Sequence, residues 1–187
     1  MENIIQNFNE RFGSTDLFVE SNSEQMKKLK TLLGNKVNRI LDFYNKYQPS
    51  NLPTISGIGL CDIEHIIEEN TDLAPGIYLA EYGVYVFATT IGGNALCIDT
   101  NDVRDGDASV LIADANFCSF NEDFNCVEIE IAPEEVWDEY DEADDDVLHL
   151  NYPNIKKCLP KVENSFLEFI RKLSLNEYEN IEKYLEF

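Results

Sequence analysis

Basic side chains are what the chain has least of, and the shortage is local. Between residues 48 and 154 the only lysine or arginine is Arg104, against 24 aspartates and glutamates. The two flanks are balanced, with 13 basic and 12 acidic residues, so the formal charge of −22 resides in the middle of the chain. A field of that sign repels nucleic-acid phosphates and anionic lipid and draws in basic partners. Acidity also serves solubility alone. Its confinement to one section is what points to a partner.

Other absences exclude whole classes. The five cysteines, Cys61, Cys97, Cys118, Cys126 and Cys158, include no C-x-x-C pair. That excludes a zinc ribbon and a thioredoxin-type motif, and the thiols read as reduced and mostly buried. No run approaches the ~20 apolar residues needed to span a bilayer. The opening MENIIQNFNERFG has neither the basic start nor the apolar stretch of a secretory signal, so a cytoplasmic protein is expected. There is no G-x-S-x-G elbow, P-loop or G-x-G-x-x-G, which removes the motif-borne routes to nucleophilic catalysis and phosphate binding. The only histidines, His65 and His149, fall in unrelated segments. NDVRDGD resembles a calcium loop, but aligning Gly106 with the invariant glycine puts Val103 and Ile112 where oxygen ligands are required. Asp144–Asp146 reads as a solvated loop. No metal or cofactor is expected.

What remains describes a packed α+β domain over residues 1–187, with 1–22 as a short helix in a loosely packed N-terminal extension. Met26, Leu29, Leu33, Val37, Ile40, Tyr44 and Tyr47 recur at spacings of three and four, the stripe of an amphipathic helix. Gly34 marks a kink or break in it. A second helix is expected over 60–70. From residue 77 the pattern turns to strand: IYLAEYGVYVFATT, a Gly92–Gly93–Asn94 hairpin turn, ALCIDT, the polar turn NDVRDGD, SVLIADA and the alternating VEIEI. Short connections predict an antiparallel or mixed sheet of about 4–6 strands, flanked by N-terminal and C-terminal helices. The C-terminal helices carry Val162, Phe166, Phe169, Ile170 and Leu173, then Tyr178, Ile181 and Leu185.

Four stretches resemble the SUKH superfamily, which groups a yeast cell-wall-synthesis regulator with bacterial immunity proteins. They are DFYNKYQPSNLP, the hairpin GVYVFATTIGGNALCIDT, the strand SVLIADA and the helix FLEFIRKL. Within the hairpin, Gly83, Gly92, Gly93, Asn94 and Asp99 match the family's pattern of a glycine-led strand, a G-G-N turn and a strand ending in Asp. LAPGIYLAEYG departs from the Asn/Gly-rich segment expected before the first strand. The resemblance implies a sheet flanked by helices, no catalytic residue, and an antidote role in the cytoplasm against a polymorphic toxin, often a nuclease. A nuclease is basic where it meets phosphate, and a strongly acidic inhibitor associates with such a surface by electrostatic steering.

The densest acidic run, EEVWDEYDEADDD, contains two aromatics. Trp137 and Tyr140 are therefore candidate anchors, and Asp138, Glu139, Asp141 and Glu142 candidate steering charges, for a basic protein partner. The run from Glu134 to Asp146 is expected to be an exposed loop or a frayed helix. A carboxylate-based or metal-dependent hydrolase and a regulatory scaffold are the alternatives. Nothing in the sequence specifies an oligomeric state.

Overall fold

The structure, a computed structural model, describes residues 1–142 and 147–186, the side chains of Asp141 and Glu142 excepted. The fold is α+β. A five-stranded antiparallel sheet, ordered β3-β4-β5-β6-β9, is built from Ile58–Leu60 (β3), Val84–Thr90 (β4), Ala95–Arg104 (β5), Asp107–Ala113 (β6) and Lys161–Glu163 (β9). All seven residues of β6 are buried, because the sheet is covered on both faces. Ala108, Val110 and Ile112 face one apolar core, and Leu111 and Ala113 face the other. This is the period-two alternation of a strand, with apolar residues on both sides.

The first core is closed by helices. These are Glu2–Phe12 (α1), Ser23–Leu33 (α2), Asn38–Tyr47 (α3), Ile63–Thr71 (α4), Phe166–Ser174 (α8) and the terminal 3₁₀ turn Ile181–Leu185. The long stripe read from residue 26 to 47 is two helices, broken where Gly34 takes φ 75°. Asn22 caps α2, its side chain accepting from the Glu24 and Gln25 amides while Gln25 bonds back to the Asn22 amide, a capping box. The N-terminal segment packs more closely than its polar sequence suggests. Phe8 and Leu17 are buried in the core, and Phe18–Val19 (β1) pairs with Gln48–Pro49 (β2). Phe8, with Ile4, Ile5 and Phe12 packed against the core beside it, docks α1 while its other face stays solvated.

The second core lies on the opposite face, under Gly76–Ala80 (α5), the hairpin Cys118–Asn121 (β7) and Cys126–Ile129 (β8), Glu134–Glu142 (α6) and Tyr152–Cys158 (α7). Four sequence-based assignments change here. Residues 76–80 are helical, and the strand begins at Val84, past the turn at Gly83. The segment NDVRDGD continues the β5–β6 ladder as far as Arg104↔Asp107, and only Asp105–Gly106 turns, at φ 51° and 77°. Positive φ at both central residues is the two-residue hairpin turn that Asp-Gly favours. VEIEI belongs to the separate β7–β8 hairpin, and the main sheet takes its fifth strand from residues 161–163. Val162, read as part of a helical stripe, sits in that strand.

Two polar side chains knit the layers. At the β4 bulge between Val86 and Ala88, Asn70 accepts from the Val86 amide (2.8 Å) and donates to the Val86 carbonyl (2.8 Å). It supplies the ladder bonds that β3, pairing only from Ala88 onward, does not reach. Asp107, 5% exposed, accepts from the Phe166 and Leu167 amides and the Ser165 hydroxyl. A carboxylate on first-turn amides also meets the positive end of the α8 helix dipole. Asp107→Ala leaves the buried Phe166 amide and two half-buried donors without their charged acceptor. It is expected to cost on the order of 3 kcal/mol, measured as a lower urea midpoint with unchanged slope.

Four of the five cysteines are buried and none is oxidised. Burial pushes the thiols of Cys61 and Cys118 up to about 12 and that of Cys158 up to about 11, and raises Cys97 further. In the unfolded chain they ionise near ~8.5. The folded protein therefore holds more protons above that pH, and stability falls as pH rises from about 8.5 towards 11. Urea midpoints taken from pH 7 to 10 should be flat at first and then decline. Ellman's reagent should reach only the partly exposed Cys126 until the protein is unfolded.

Candidate functional site

The acidic run folds as α6. The Val136 amide bonds the Pro133 carbonyl, and Glu134 and Glu135 occupy the first turn, where carboxylates complement the helix dipole. Val136 is buried in the second core. Trp137 and Tyr140, three residues apart and so on one side of the helix, meet edge to face at 6.2 Å. Both are half-buried against that core. Asp138 and Glu139 are exposed, and Glu139 is ion-paired with Lys157 of α7. Asp141 and Glu142 end the helix, with side chains outside the described residues, as are Asp144–Asp146. The two aromatics thus fix the helix to the body while its outer face carries charge. Glu134, Glu135 and Asp138 have no ion-pair partner among the described residues.

The hairpin β7–β8 stands in the same layer, and the sequence reading gave it no role. Its turn, 122–125, carries Glu122 and Asp123, both exposed. Phe120 and Phe124 are 49% and 50% exposed. The available signal was a phenylalanine set among Asn, Glu and Asp, a turn composition that has no folding use for a large ring.

The residues carrying the family resemblance fall at two separate places. Gly92, Gly93 and Asn94 form the β4–β5 turn. A Cβ on Gly92 would come within 2.3 Å of the Glu182 carboxylate, which accepts from Thr90 Oγ1 (2.6 Å) and Asn94 Nδ2 (3.3 Å). Asn94 Oδ1 in turn accepts from the Ala115 amide. Gly83 and Asp99 lie at the other end of the hairpin, where Val84 pairs with Asp99. Gly83 takes φ 76°, and its carbonyl accepts from the Thr100 amide and hydroxyl. Asp99 is fully buried. It accepts from Tyr152 Oη (2.9 Å) and the Asn101 amide (2.9 Å), with Lys156 Nζ at 3.7 Å. Desolvation and this carboxylate push the Tyr152 phenol up to about 12. These five residues hold turns and strand ends.

A groove of about 730 Å³ runs between α2, α4, α5 and β4, floored by Leu32, Ile67, Ile77, Ala80 and Tyr85. Its rim carries both signs of charge, with Lys27 and Lys28 opposed by Glu24 and Glu81. Asn70 at its base is engaged with Val86 and Ile66. His65 is exposed and bonded to Asp62 at the α4 cap, and His149 is exposed beside the hairpin through a backbone bridge to Glu128. Among the described residues, neither is hydrogen-bonded to a serine, threonine or cysteine, and no three His, Cys, Asp or Glu side chains form a group that could hold a metal ion. Among the same residues no helix is long and apolar enough to cross a membrane.

The arrangement that stands out chemically is therefore a surface: one layer bearing unpaired carboxylates on a helix and on a hairpin turn. No protein-family model matches the chain, and no curated protein or solved structure does either.

Proposed function

We propose that this chain is a cytoplasmic immunity protein of the SUKH type, which neutralises a basic toxin domain, probed first as a nuclease, by covering it with an acidic surface. The observation that carries the reading is the charge balance of the layer formed by the β7–β8 hairpin, α6 and α7. Its cations are engaged internally: Lys156 with Asp99, Lys157 with Glu139, and Lys161 of the adjoining strand with Asp102 at 2.6 Å. Glu122, Asp123, Glu134, Glu135 and Asp138 are left facing solvent without a counter-ion among the described residues. Uncompensated carboxylates gathered on one layer raise the local negative potential, and that potential accelerates encounter with a basic surface. The same carboxylates would occupy the ground on which a nuclease binds phosphate.

On this reading the residues of α6 divide their work. Asp138 and the first-turn glutamates steer. Trp137 and Tyr140 seat the helix. Glu139, held by Lys157, contributes less to the field than its neighbours.

The test is binding kinetics, at two salt concentrations, with the basic toxin domain that this reading expects to be encoded next to the chain, taken first as a nuclease. Combined Glu134→Gln, Glu135→Gln and Asp138→Asn should slow association about tenfold at low salt, flatten its salt dependence and leave dissociation unchanged. The melting temperature should fall by only a few degrees, since none of the three is buried and only the helix-dipole contribution of the two first-turn glutamates is lost. An association rate indifferent to both salt and the triple substitution would sink the proposal. Trp137→Ala is expected to act through the fold, lowering stability by about 2 kcal/mol in urea titration as the ring's contact with the second core is lost.

A further inference from the structure

We propose that the β7–β8 hairpin is the element that docks, with Phe120 and Phe124 as anchors that enter an apolar cleft on the basic partner. The proposal rests on the acidic-inhibitor reading and names the part of that surface that holds the complex together.

Cys118 faces Ile129 and Phe120 faces Val127 across the two strands. Alternation places all four on one face. Cys118 and Ile129 are buried in the second core, and Val127 packs against its edge. Beyond that edge a strand with no further task would carry a polar residue. Phe120 sits there instead, with 49% of its surface exposed. The apolar face of the hairpin therefore continues past the core into solvent.

Phe124 repeats the anomaly in the turn, where nothing in the core requires a ring, and is 50% exposed. The turn that presents it is well tied. Asn121 Oδ1 accepts from the Asp123 and Phe124 amides (3.0 and 3.2 Å), and its Nδ2 donates to Glu128 (2.9 Å). The other edge of β8 is bonded to the chain at Leu148 and Leu150. Rings held on a braced hairpin lose little conformational entropy when they are covered. Large aromatics, phenylalanine included, dominate interface energetics.

Charge decides what covers them. Glu122 and Asp123 are exposed in the turn beside the rings, Glu130 is exposed at the other end of the hairpin, Glu128 lies on its polar face, and no lysine or arginine occurs from residue 105 to 155. A second copy of this chain would bring like charge against like. A basic protein surface with an apolar depression satisfies both the rings and the rim. The groove beside α2 offers no such choice, because its rim is mixed.

The experiment measures dissociation of the complex with the same expected toxin domain. Phe120→Ala and Phe124→Ala should each raise the dissociation rate about 30-fold with association within a factor of two, the reverse of the carboxylate substitutions. Melting temperatures verify folding, and Phe124→Ala, lying in the turn, keeps the test valid if Phe120→Ala unfolds. In hydrogen exchange, amides 118–129 should gain protection in the complex. Lysozyme and cytochrome c, basic proteins without the cognate cleft, should bind weakly and be indifferent to both phenylalanines. If the complex forms and neither substitution changes dissociation, the anchor assignment is wrong while the acidic-surface reading stands. If no complex forms, both are overturned.

Discussion

Asp107 holds the molecule's layers in register. Its carboxylate lies at the start of β6, the strand most deeply enclosed, and binds the first amides of α8. That bond fixes where Phe166 enters the core. The Phe166 ring then lies 5.4 Å from Phe43, 6.1 Å from Tyr44 and 5.2 Å from Phe87, joining α3, α8 and the sheet at one point. Contacts between aromatic rings are worth about 0.5–1.5 kcal/mol each beyond their burial, but only if the helix starts at the right residue. The turn before Asp107 is seated as well: the Arg39 amide at the head of α3 donates to the Gly106 carbonyl. One hairpin end thus positions two helices.

With the sheet enclosed on both faces, its far side needs a cover, and the acidic section provides it. This explains why the charge does not prevent folding. The helical spacing that buries Val136 and half-buries Trp137 and Tyr140 leaves Glu134, Glu135, Asp138 and Glu139 exposed, where they keep their hydration. Among the described residues the buried carboxylates are Asp99 and Asp107, and each accepts several hydrogen bonds. Buried acids stabilise the fold here and exposed acids set its surface potential, and the two sets do not overlap.

The sequence alone determined the elements whose burial follows from local periodicity. The stripe of α2 and α3, its break at Gly34, the Gly92–Gly93 turn and the helical Phe166–Leu173 segment are all legible, because side-chain spacing and turn chemistry act within a few residues. The charge asymmetry is legible too, being a property of composition. What only the tertiary structure decided is which apolar residues find a partner. Phe120 and Phe169 are equivalent in composition, yet one is half exposed and the other is packed against Phe87 and Tyr178. Likewise VEIEI alternates like a sheet strand, but the fifth place beside β6 went to residues 161–163, through a pairing 50 residues apart in sequence that no local pattern encodes. Burial is a long-range quantity, set by what the rest of the chain brings alongside, so the fold class could be read from the residues while the exposed rings could not.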